Sequence, residues 1–210
     1  MMNHIVISIG RQFGSGGRVV GKRLAETLGI DYYDRDLLFL AAKEHGFAPD
    51  IFESADEKTS VRTGFLQWLN GYFFGTVASQ NYMSNETLFK MQSDVIRSLA
   101  EIKLCVIVGR CSDYILRDNP HHISVFLQAP MTDRIERVAQ RMGVTNDKAQ
   151  EIIKTSDKRR SDYYNYYSSK TWGAAATYDM CINVSLLGVD KTVELIAHIV
   201  KEKLQMREEK

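Results

Sequence analysis

Apolar and polar positions along the chain fall into blocks that predict strands alternating with helices. Apolar runs over residues 5–9, 104–108 and 123–127 are short and rich in β-branched residues, as is typical of strands in a buried parallel sheet. A last strand is predicted over residues 179–183, and a brief extended segment over residues 31–34. The alternation predicts an α/β fold in which helices cover both faces of a parallel sheet.

Apolar residues recur at three- and four-residue spacing between these runs, which indicates amphipathic helices. Short polar side chains such as Ser84 and Asp190 are candidate N-caps, because they accept hydrogen bonds from free N–H groups at a helix start. Helices are predicted up to Leu28, from Asp36, over residues 48–60, 84–102, 111–117 and 145–168, from Thr132, and from Asp190 toward the C-terminus.

An aromatic cluster occupies residues 61–83, where Phe65, Trp68, Tyr72 and Phe73 are close together. Such a cluster is more often part of a core or of an oligomer contact than a platform for stacking bases. If it were exposed, it would support a homodimer. The sequence leaves the core and the dimer contact as alternatives.

Composition and charge are those of an ordinary globular domain. The 210 residues are 44% hydrophobic and 25% charged, and the formal net charge is +1. A net charge so small gives no overall field that would attract nucleic acid or a membrane. The three cysteines have no zinc spacing, which indicates reduced thiols. No signal peptide or membrane-length apolar run is evident, so we expect a cytoplasmic protein that binds neither nucleic acid nor membranes.

Glycines at positions 10, 14, 16 and 17 follow the first strand, and a helical pattern begins directly after them. A strand, a glycine-rich loop and a helix in this order aim free backbone N–H groups at an anion. Glycine also lets the backbone approach phosphate oxygens closely. We therefore predict that Gly14, Ser15, Gly16 and Gly17 bind phosphate. The alternative is a glycine-rich turn that binds nothing.

The loop departs from the usual phosphate-binding pattern G-x-x-x-x-G-K-[ST], whose lysine reaches the phosphates and whose hydroxyl binds Mg²⁺. Five residues separate Gly10 from Gly16, Gly17 stands at the lysine position, and Arg18 stands at the hydroxyl position. The guanidinium of Arg18 is a candidate for the missing cation, because it can bind phosphate through two parallel hydrogen bonds.

Further basic residues are predicted near the loop. Arg110 follows the strand over residues 104–108, and ligands of parallel sheets bind at the carboxyl ends of strands. The helix that begins at Thr132 is predicted to carry Arg134, Arg137 and Arg141 on its polar face, and the last two are one helical turn apart. Arg159 and Arg160 belong to a basic cluster with Lys158. We expect Arg110, Arg137, Arg141, Arg159 and Arg160 to surround phosphates, with the polar helices acting as a lid. The alternative for each helix is a solvated charged face.

Carboxylates supply the candidates for a metal or for an acceptor hydroxyl. Asp34 and Asp36 follow the second strand, and either could hold Mg²⁺ or orient an acceptor, although Asp34 could equally be only a helix cap. Asp113 is a weaker metal candidate near Arg110. His121 and His122 lack the spacing of a metal site, and we expect both on the surface.

The sequence resembles the cytidylate kinase-like family of bacterial proteins over about residues 4–200, and more remotely the true cytidylate kinases and other nucleoside monophosphate kinases. The resemblance rests on the motifs GRQFGSGGR at residues 10–18, YDRD at 33–36, QSDVIR at 92–97, VIVGR at 106–110 and DKRR at 157–160.

The resemblance implies a single P-loop NTPase-type domain with three α/β/α layers, ATP as the donor, Mg²⁺, and a nucleoside monophosphate as the acceptor. It also implies a helical insertion on the acceptor side over about residues 44–100 and a lid-like helical segment over about 143–172. By resemblance, Arg110 grips the acceptor phosphate, and Arg159 and Arg160 contact the transferring phosphoryl group. Beside a true cytidylate kinase, Val108 and Cys111 replace the aspartates that flank Gly-Arg.

These observations predict a kinase that uses ATP and Mg²⁺ to phosphorylate a small molecule, most simply a CMP-like nucleoside monophosphate. Two alternatives stay open. One is a nucleotide-binding regulatory protein with little or no catalysis, which the missing lysine and hydroxyl would favour. The other is a kinase for a non-nucleotide acceptor, because a fold by itself does not determine the substrate.

Overall fold

The computed structural model describes residues 5–34 and 85–208. The predicted helices after Asp36 and over residues 48–60, and the aromatic cluster of residues 61–83, lie outside this part of the chain. The homodimer inferred from that cluster and the insertion over residues 44–100 therefore stay predictions. Within the described part, no helix is long and apolar enough to cross a membrane.

The described residues form a sheet of five parallel strands in the order β2-β3-β1-β4-β5. The strands are β1 (Val6–Arg11), β2 (Asp31–Tyr33), β3 (Cys105–Val108), β4 (His122–Gln128) and β5 (Met180–Asn183). Because β1 is central and pairs with both β3 and β4, its carboxyl end lies beside theirs. The predicted parallel sheet is confirmed.

Helices cover both faces of the sheet, as predicted for a three-layer α/β/α fold. The helices are α1 (Gly17–Leu28), α2 (Asn85–Ile102), α3 (Ser112–Ile115), α4 (Met131–Met142), α5 (Asn146–Ser168) and α6 (Val184–Glu208). On one face, α1 and α6 pack through Leu24 and Ile196; on the other, α2, α3 and part of α5 pack through Leu99 and Tyr164.

The alternation of side chains along β1 explains why its apolar run is nearly continuous. Ile7 and Ile9 pack beneath α1 and α6, whereas Val6 points to the α2 side, and all three are fully buried. A strand with helices on both sides has no solvent face, so both of its residue sets must be apolar.

Helices α4 and α5 form a separate pair beyond the edge of the sheet. Val138 of α4 and Ala149 and Ile153 of α5 are fully buried between them, and Phe13 of the glycine loop packs against this small core. The pair is thereby attached to the loop, and the lid-like role of residues 143–172 stays a prediction.

Two expectations about polar residues are wrong. His122 was expected on the surface, but it is the first residue of β4 and is buried, and burial lowers its pKa to about 4. Arg134 was expected on the polar face of its helix with Arg137 and Arg141, but only 5% of its side chain is exposed, and it pairs with Asp157. In both cases, packing of a second element covers a residue that local periodicity leaves outside.

Two aspartates near the last strand and the last helix bind residues of other elements. Asp179 precedes β5, and its carboxylate accepts hydrogen bonds from the backbone N–H of Ser124 at 2.7 Å and from its hydroxyl at 2.8 Å. The helix α6 is interrupted at Gly188, where φ is 75°. Asp190, two residues later, pairs with Arg23 of α1.

We predict that Asp179→Ala lowers the free energy of unfolding by about 2 kcal/mol at neutral pH, the usual worth of hydrogen bonds to a charged group. Burial raises the pKa of Asp179, but the hydrogen bonds from Ser124 lower it by more than burial raises it. The pKa of Asp179 therefore lies below its ordinary value. The stabilisation is therefore present above a pH of about 4 and is lost as the pH falls through the folded-state pKa. Urea unfolding at several pH values measures this.

The matched control for this variant is Asp118→Ala, because the side chain of Asp118 is 86% exposed and makes only a surface ion pair. An equal loss in both variants, or a loss for Asp179→Ala that does not shrink in acid, would contradict the assignment.

Candidate functional site

A cleft of about 740 Å³ opens at the carboxyl ends of β1 and β3 and extends to α4 and α5. Its lining includes two carboxylates, Asp34 and Asp113, and an unusual number of arginines, namely Arg11, Arg18, Arg110, Arg137, Arg141, Arg159 and Arg160. The structure thus brings together every arginine proposed as a site residue from the sequence, and adds one more, Arg11. Lysine and histidine are absent from the described part of the lining.

The glycine loop connects β1 to α1 through two left-handed residues. The φ angle is 81° at Gly14 and 90° at Gly16, where a side chain would be strained, and α1 begins at Gly17. The N–H groups of Gly14, Gly16 and Gly17 have no hydrogen-bond acceptor among the residues that the structure describes. Backbone donors at a helix N-terminus are therefore available to an anion in the cleft.

Side chains of α4, of α5 and of the loop itself hold the loop in place. Asp157 of α5 accepts the N–H of Phe13 at 2.7 Å, and Arg134 of α4 donates to the carbonyl of the same residue at 3.3 Å. Arg134 and Asp157 also pair with each other at 2.5 Å. On the sheet side, the carbonyl oxygen of the Gln12 side chain accepts the N–H of Ala129 at 3.1 Å. The loop is thus held between β4 and the α4–α5 pair.

Arg18, the candidate for the missing cation of the loop, and Asp34, the metal candidate, are bound to each other. Arg18 Nη2 lies 2.7 Å from Asp34 Oδ2, and the side chains are 75% and 9% exposed. The negative charge of Asp34 is the main reason why the pKa of Arg18 lies above its ordinary value. An anion at the loop would have to compete with Asp34 for this guanidinium. The hydroxyl of Ser15 in the loop is buried and donates to the backbone carbonyl of Gln12 at 3.0 Å.

The segment after β3 has a left-handed backbone at three consecutive residues, with φ of 84° at Gly109, 64° at Arg110 and 53° at Cys111. Each non-glycine residue in this region costs about 1–3 kcal/mol, and such strain is concentrated at functional sites. Arg110 lines the cleft near Tyr163, whose pKa is raised by burial and lowered in part by the charge of Arg110. Burial raises the pKa of the Cys111 thiol, so it is not a nucleophile at neutral pH.

Helix α4 contributes Arg137 and Arg141 to the cleft. Arg137 donates from Nη2 to the hydroxyl of Ser185 at 2.8 Å and approaches the carbonyl of Gly14 at 3.5 Å. The guanidinium carbon of Arg141 lies 5.1 Å from the ring centroid of Phe13, a cation–π contact. Both side chains are thereby held next to the loop.

Helix α5 contributes Arg159 and Arg160, which both line the cleft. Arg160 Nη1 donates to the backbone carbonyl of Arg11 at 2.9 Å, and burial lowers the pKa of Arg160. Lys158, the third cation of the predicted cluster, is directed elsewhere. Its amine pairs with Asp162 at 2.6 Å, and its side chain is 74% exposed.

The carboxylates of the cleft offer little for a metal by themselves. Asp113 accepts a hydrogen bond from the Tyr164 hydroxyl at 2.6 Å, and burial raises its pKa. Asp36 lies outside the described residues. Within them, no cluster of three or more His, Cys, Asp or Glu side chains could hold a metal ion. Asp34 is then the better placed of the two lining carboxylates.

Sequence reasoning overlooked Arg11 and Asp157 as parts of the site. Arg11 is the last residue of β1, so its place at a strand end beside the glycines was a usable signal. Asp157 was quoted in the motif DKRR, but nothing local distinguishes a carboxylate that bonds to a distant loop from one on a solvated helix face.

The sequence and the fold of this chain are similar to those of known kinases and of a family related to them. A profile of the Cytidylate kinase-like family matches residues 6–186. The cytidylate kinase of Methanopyrus kandleri is 24% identical over 200 residues, which are 91% of each chain. An uncharacterized protein from Eubacterium ventriosum is 32% identical with a TM-score of 0.70, over 94% of this chain and 99% of that one. A shikimate kinase from Bacteroides thetaiotaomicron has a TM-score of 0.55 at 13% identity, over 94% of this chain and 98% of that one, and supports the fold alone.

We predict that Asp157→Ala lowers the free energy of unfolding by about 3–5 kcal/mol, because it leaves the guanidinium of Arg134 buried without its partner. The matched control is Asp162→Ala on the same helix. Its carboxylate is 58% exposed and pairs with Lys158 alone among the described residues, so the expected loss is at most about 0.5 kcal/mol. Urea unfolding of both variants measures the difference, and equal losses would contradict the role of Asp157.

Proposed function

The chain belongs to the cytidylate kinase-like family, and on that premise we propose that it transfers a phosphoryl group from ATP to a small-molecule acceptor, in the first place a nucleoside monophosphate such as CMP. The observation that carries the proposal is the convergence of seven arginines and a glycine loop on one cleft. ATP and nucleoside monophosphates are cytoplasmic metabolites, so the cytoplasm is the proposed compartment.

Two phosphate-bearing ligands account for the charge of this cleft better than one. Seven guanidiniums face only two carboxylates in the described lining, and one of those carboxylates is bonded to a tyrosine. Phosphoryl transfer requires mostly positioning and neutralisation of charge, and little covalent chemistry by the protein. A donor triphosphate and an acceptor monophosphate together would supply the missing negative charge.

The donor phosphates are assigned to the loop. The free N–H groups of Gly14, Gly16 and Gly17 would bind them, with Ser15 shaping the turn. Arg137 and Arg141 border the same end of the cleft and would neutralise the phosphate chain from the side of α4. Arg18 would join them after release from Asp34.

The acceptor phosphate is assigned to Arg110, since this residue lines the cleft just after the neighbouring strand β3 and not in the loop itself. Arg159 and Arg160 of α5 line the same cleft and would contact the transferring group. A strained, left-handed backbone at Arg110 is consistent with a residue held for ligand binding and not for stability.

Magnesium fits this arrangement with Asp34 as its protein ligand. Mg²⁺ is usually held by one or two carboxylates together with substrate phosphates and water, and Asp34 is a buried carboxylate facing the cleft. The ion would neutralise charge on the phosphates. The same Asp34 could instead orient the acceptor, and its present partner Arg18 would have to be exchanged in either case.

A second candidate function is a nucleotide-binding regulatory protein without turnover. It is favoured by the loop itself, in which neither the lysine nor the hydroxyl of the usual pattern is present, and by the Arg18–Asp34 pair, which occupies two of the proposed groups. Losing one oxyanion-type contact costs about 3 kcal/mol of transition-state stabilisation. Binding of nucleotide with no product over hours would support this candidate.

The test is a coupled ADP-release assay with ATP and Mg²⁺ against nucleoside monophosphates, nucleosides and small non-nucleotide acceptors, with the phosphorylated product identified directly. Turnover with CMP, UMP or dCMP supports the proposal. Turnover with a non-nucleotide acceptor alone supports a kinase of another substrate class. Failure to bind ATP would contradict both candidate functions.

We predict that Arg159→Ala lowers kcat by about 100-fold or more, as expected for the loss of a group that stabilises charge in the transition state. Arg110→Ala should instead raise the KM for the acceptor by about 10- to 100-fold, as expected for a charged hydrogen bond to its phosphate.

The control is Arg97→Ala, an arginine of α2 that is 53% exposed and, within the described ranges, pairs with Asp94 alone. It should leave both constants unchanged. Normal kinetics in both cleft variants, in an enzyme that turns over, would contradict the assigned roles. A normal acceptor KM in Arg110→Ala alone would indicate an acceptor that carries no phosphate.

A further inference from the structure

Arg11 lies on the floor of the cleft, between the glycine loop and the end of β3. A Cβ atom built on Gly17 would lie 2.6 Å from Arg11 Cβ and 2.9 Å from its Cγ. A Cβ atom built on Gly109 would overlap Arg11 Nη1. The side chain therefore runs from one glycine to the other, through space that is open only because both positions lack a side chain.

The guanidinium of Arg11 has no acceptor and no ion-pair partner among the residues that the structure describes. Its charged neighbours are two further cations, Arg160 and Arg110, and the carboxylate of Asp34, which is itself bonded to Arg18. Burial, followed by the two positive charges, lowers the pKa of Arg11 to about 9 against the smaller opposing effect of Asp34, and the group is still protonated at neutral pH. By contrast, Arg18 is paired with Asp34, and Arg137 is bonded to Ser185.

The position of Arg11 in the sequence can be compared with the regular pattern of phosphate-binding loops. In the pattern G-x-x-x-x-G-K-[ST], four residues separate the two glycines. Counted back from Gly16, the first glycine position is residue 11, and the lysine position is Gly17. The two departures from the pattern are therefore complementary: where a lysine is lost, an arginine is gained, and the first atoms of the arginine side chain fill the space that a side chain at position 17 would need.

We propose that the guanidinium of Arg11 binds the phosphate chain of the donor nucleotide in place of the lysine of a regular phosphate-binding loop. The inference rests on the proposed function for the identity of the donor, but its chemistry requires only a polyphosphate. It assigns to Arg11 the part that the sequence pattern suggested for Arg18. Arg11 can take that part without breaking an existing ion pair, whereas Arg18 must first leave Asp34.

The proposal also explains why a cation that has no ion-pair partner among the described residues is retained in a partly buried place. A charge that is removed from water and placed beside like charges costs stability unless an anion joins it. A guanidinium kept for structure would be expected to have an acceptor in the ligand-free protein. One kept for a ligand receives its acceptor when the ligand binds.

The experiment compares binding of three probes, ATP, inorganic tripolyphosphate and AMP, to the full chain and its variants by titration calorimetry. Arg11→Gln should weaken the binding of ATP and of tripolyphosphate by about 10- to 100-fold, as expected for the loss of a charged hydrogen bond. It should weaken the binding of AMP by less than threefold, because AMP lacks the β- and γ-phosphates. Arg97→Gln, outside the cleft, is the matched control and should change none of the three.

Two further readouts separate binding from a structural role. Ligand-free Arg11→Gln should unfold in urea at the wild-type midpoint or above it, since it removes a buried positive charge that lies beside Arg160 and Arg110. The exchanged variant Arg11→Gly/Gly17→Lys, which restores the regular pattern, should bind ATP within about tenfold of wild type. If Arg11→Gln does not fold, the exchanged variant and Arg11→Lys decide, because both keep a cation in the same space.

Unchanged affinity for ATP in Arg11→Gln, or an equal loss for ATP and AMP, would overturn the inference, as would a folded exchanged variant that binds no ATP. Failure of the proposed function looks different. Wild-type protein that binds tripolyphosphate in an Arg11-dependent way but forms no product leaves the inference standing and removes the kinase. Turnover with an unchanged KM for ATP in Arg11→Gln would support the kinase and contradict the inference about Arg11. Wild-type protein that binds neither ATP nor tripolyphosphate contradicts both.

Discussion

Repulsion among guanidiniums at the carboxyl edge of the sheet is the constraint to which the rest of the site responds. Two of these cations are balanced by carboxylates, in the Arg18–Asp34 and Arg134–Asp157 pairs, and Arg160 is directed to a backbone carbonyl. Arg11 has no bonded acceptor among the described residues, and the charge of Asp34 offsets only a small part of the effects of burial and of Arg160 and Arg110. A protein that keeps like charges this close in a cleft is organised for an anion, because the ligand-free state carries an electrostatic cost that polyanion binding removes.

The parallel sheet brings these charges together at one edge. In a parallel sheet the strand ends share one edge, so the loop after β1 and the segment after β3 become neighbours although about 100 residues separate them. The α4–α5 pair then reaches the same edge from the side, held to Phe13 by Asp157 and Arg134. The buried ion pair thus couples the lid-like helices to the loop, and both parts of the site depend on it.

Most of the secondary structure could be predicted because its cause is local. Strands β1, β3, β4 and β5 and helices α2, α4 and α5 lie within a few residues of the expected bounds, since apolar spacing and capping residues act over a few positions. The errors have a different cause. His122 and Arg134 are polar residues that neighbouring elements cover, and a residue's burial by a distant element leaves no trace in its own periodicity.

Spacing along the chain was enough to predict the α/β class, the glycine loop at the end of the first strand and the set of arginines. Which charges meet is a property of the folded chain: Arg18 turns to Asp34, Lys158 points away from the cleft, and Arg11 occupies the space left by Gly17 and Gly109. Pairing between side chains far apart in sequence depends on how strands and helices pack, and packing brings together distances that no local pattern contains.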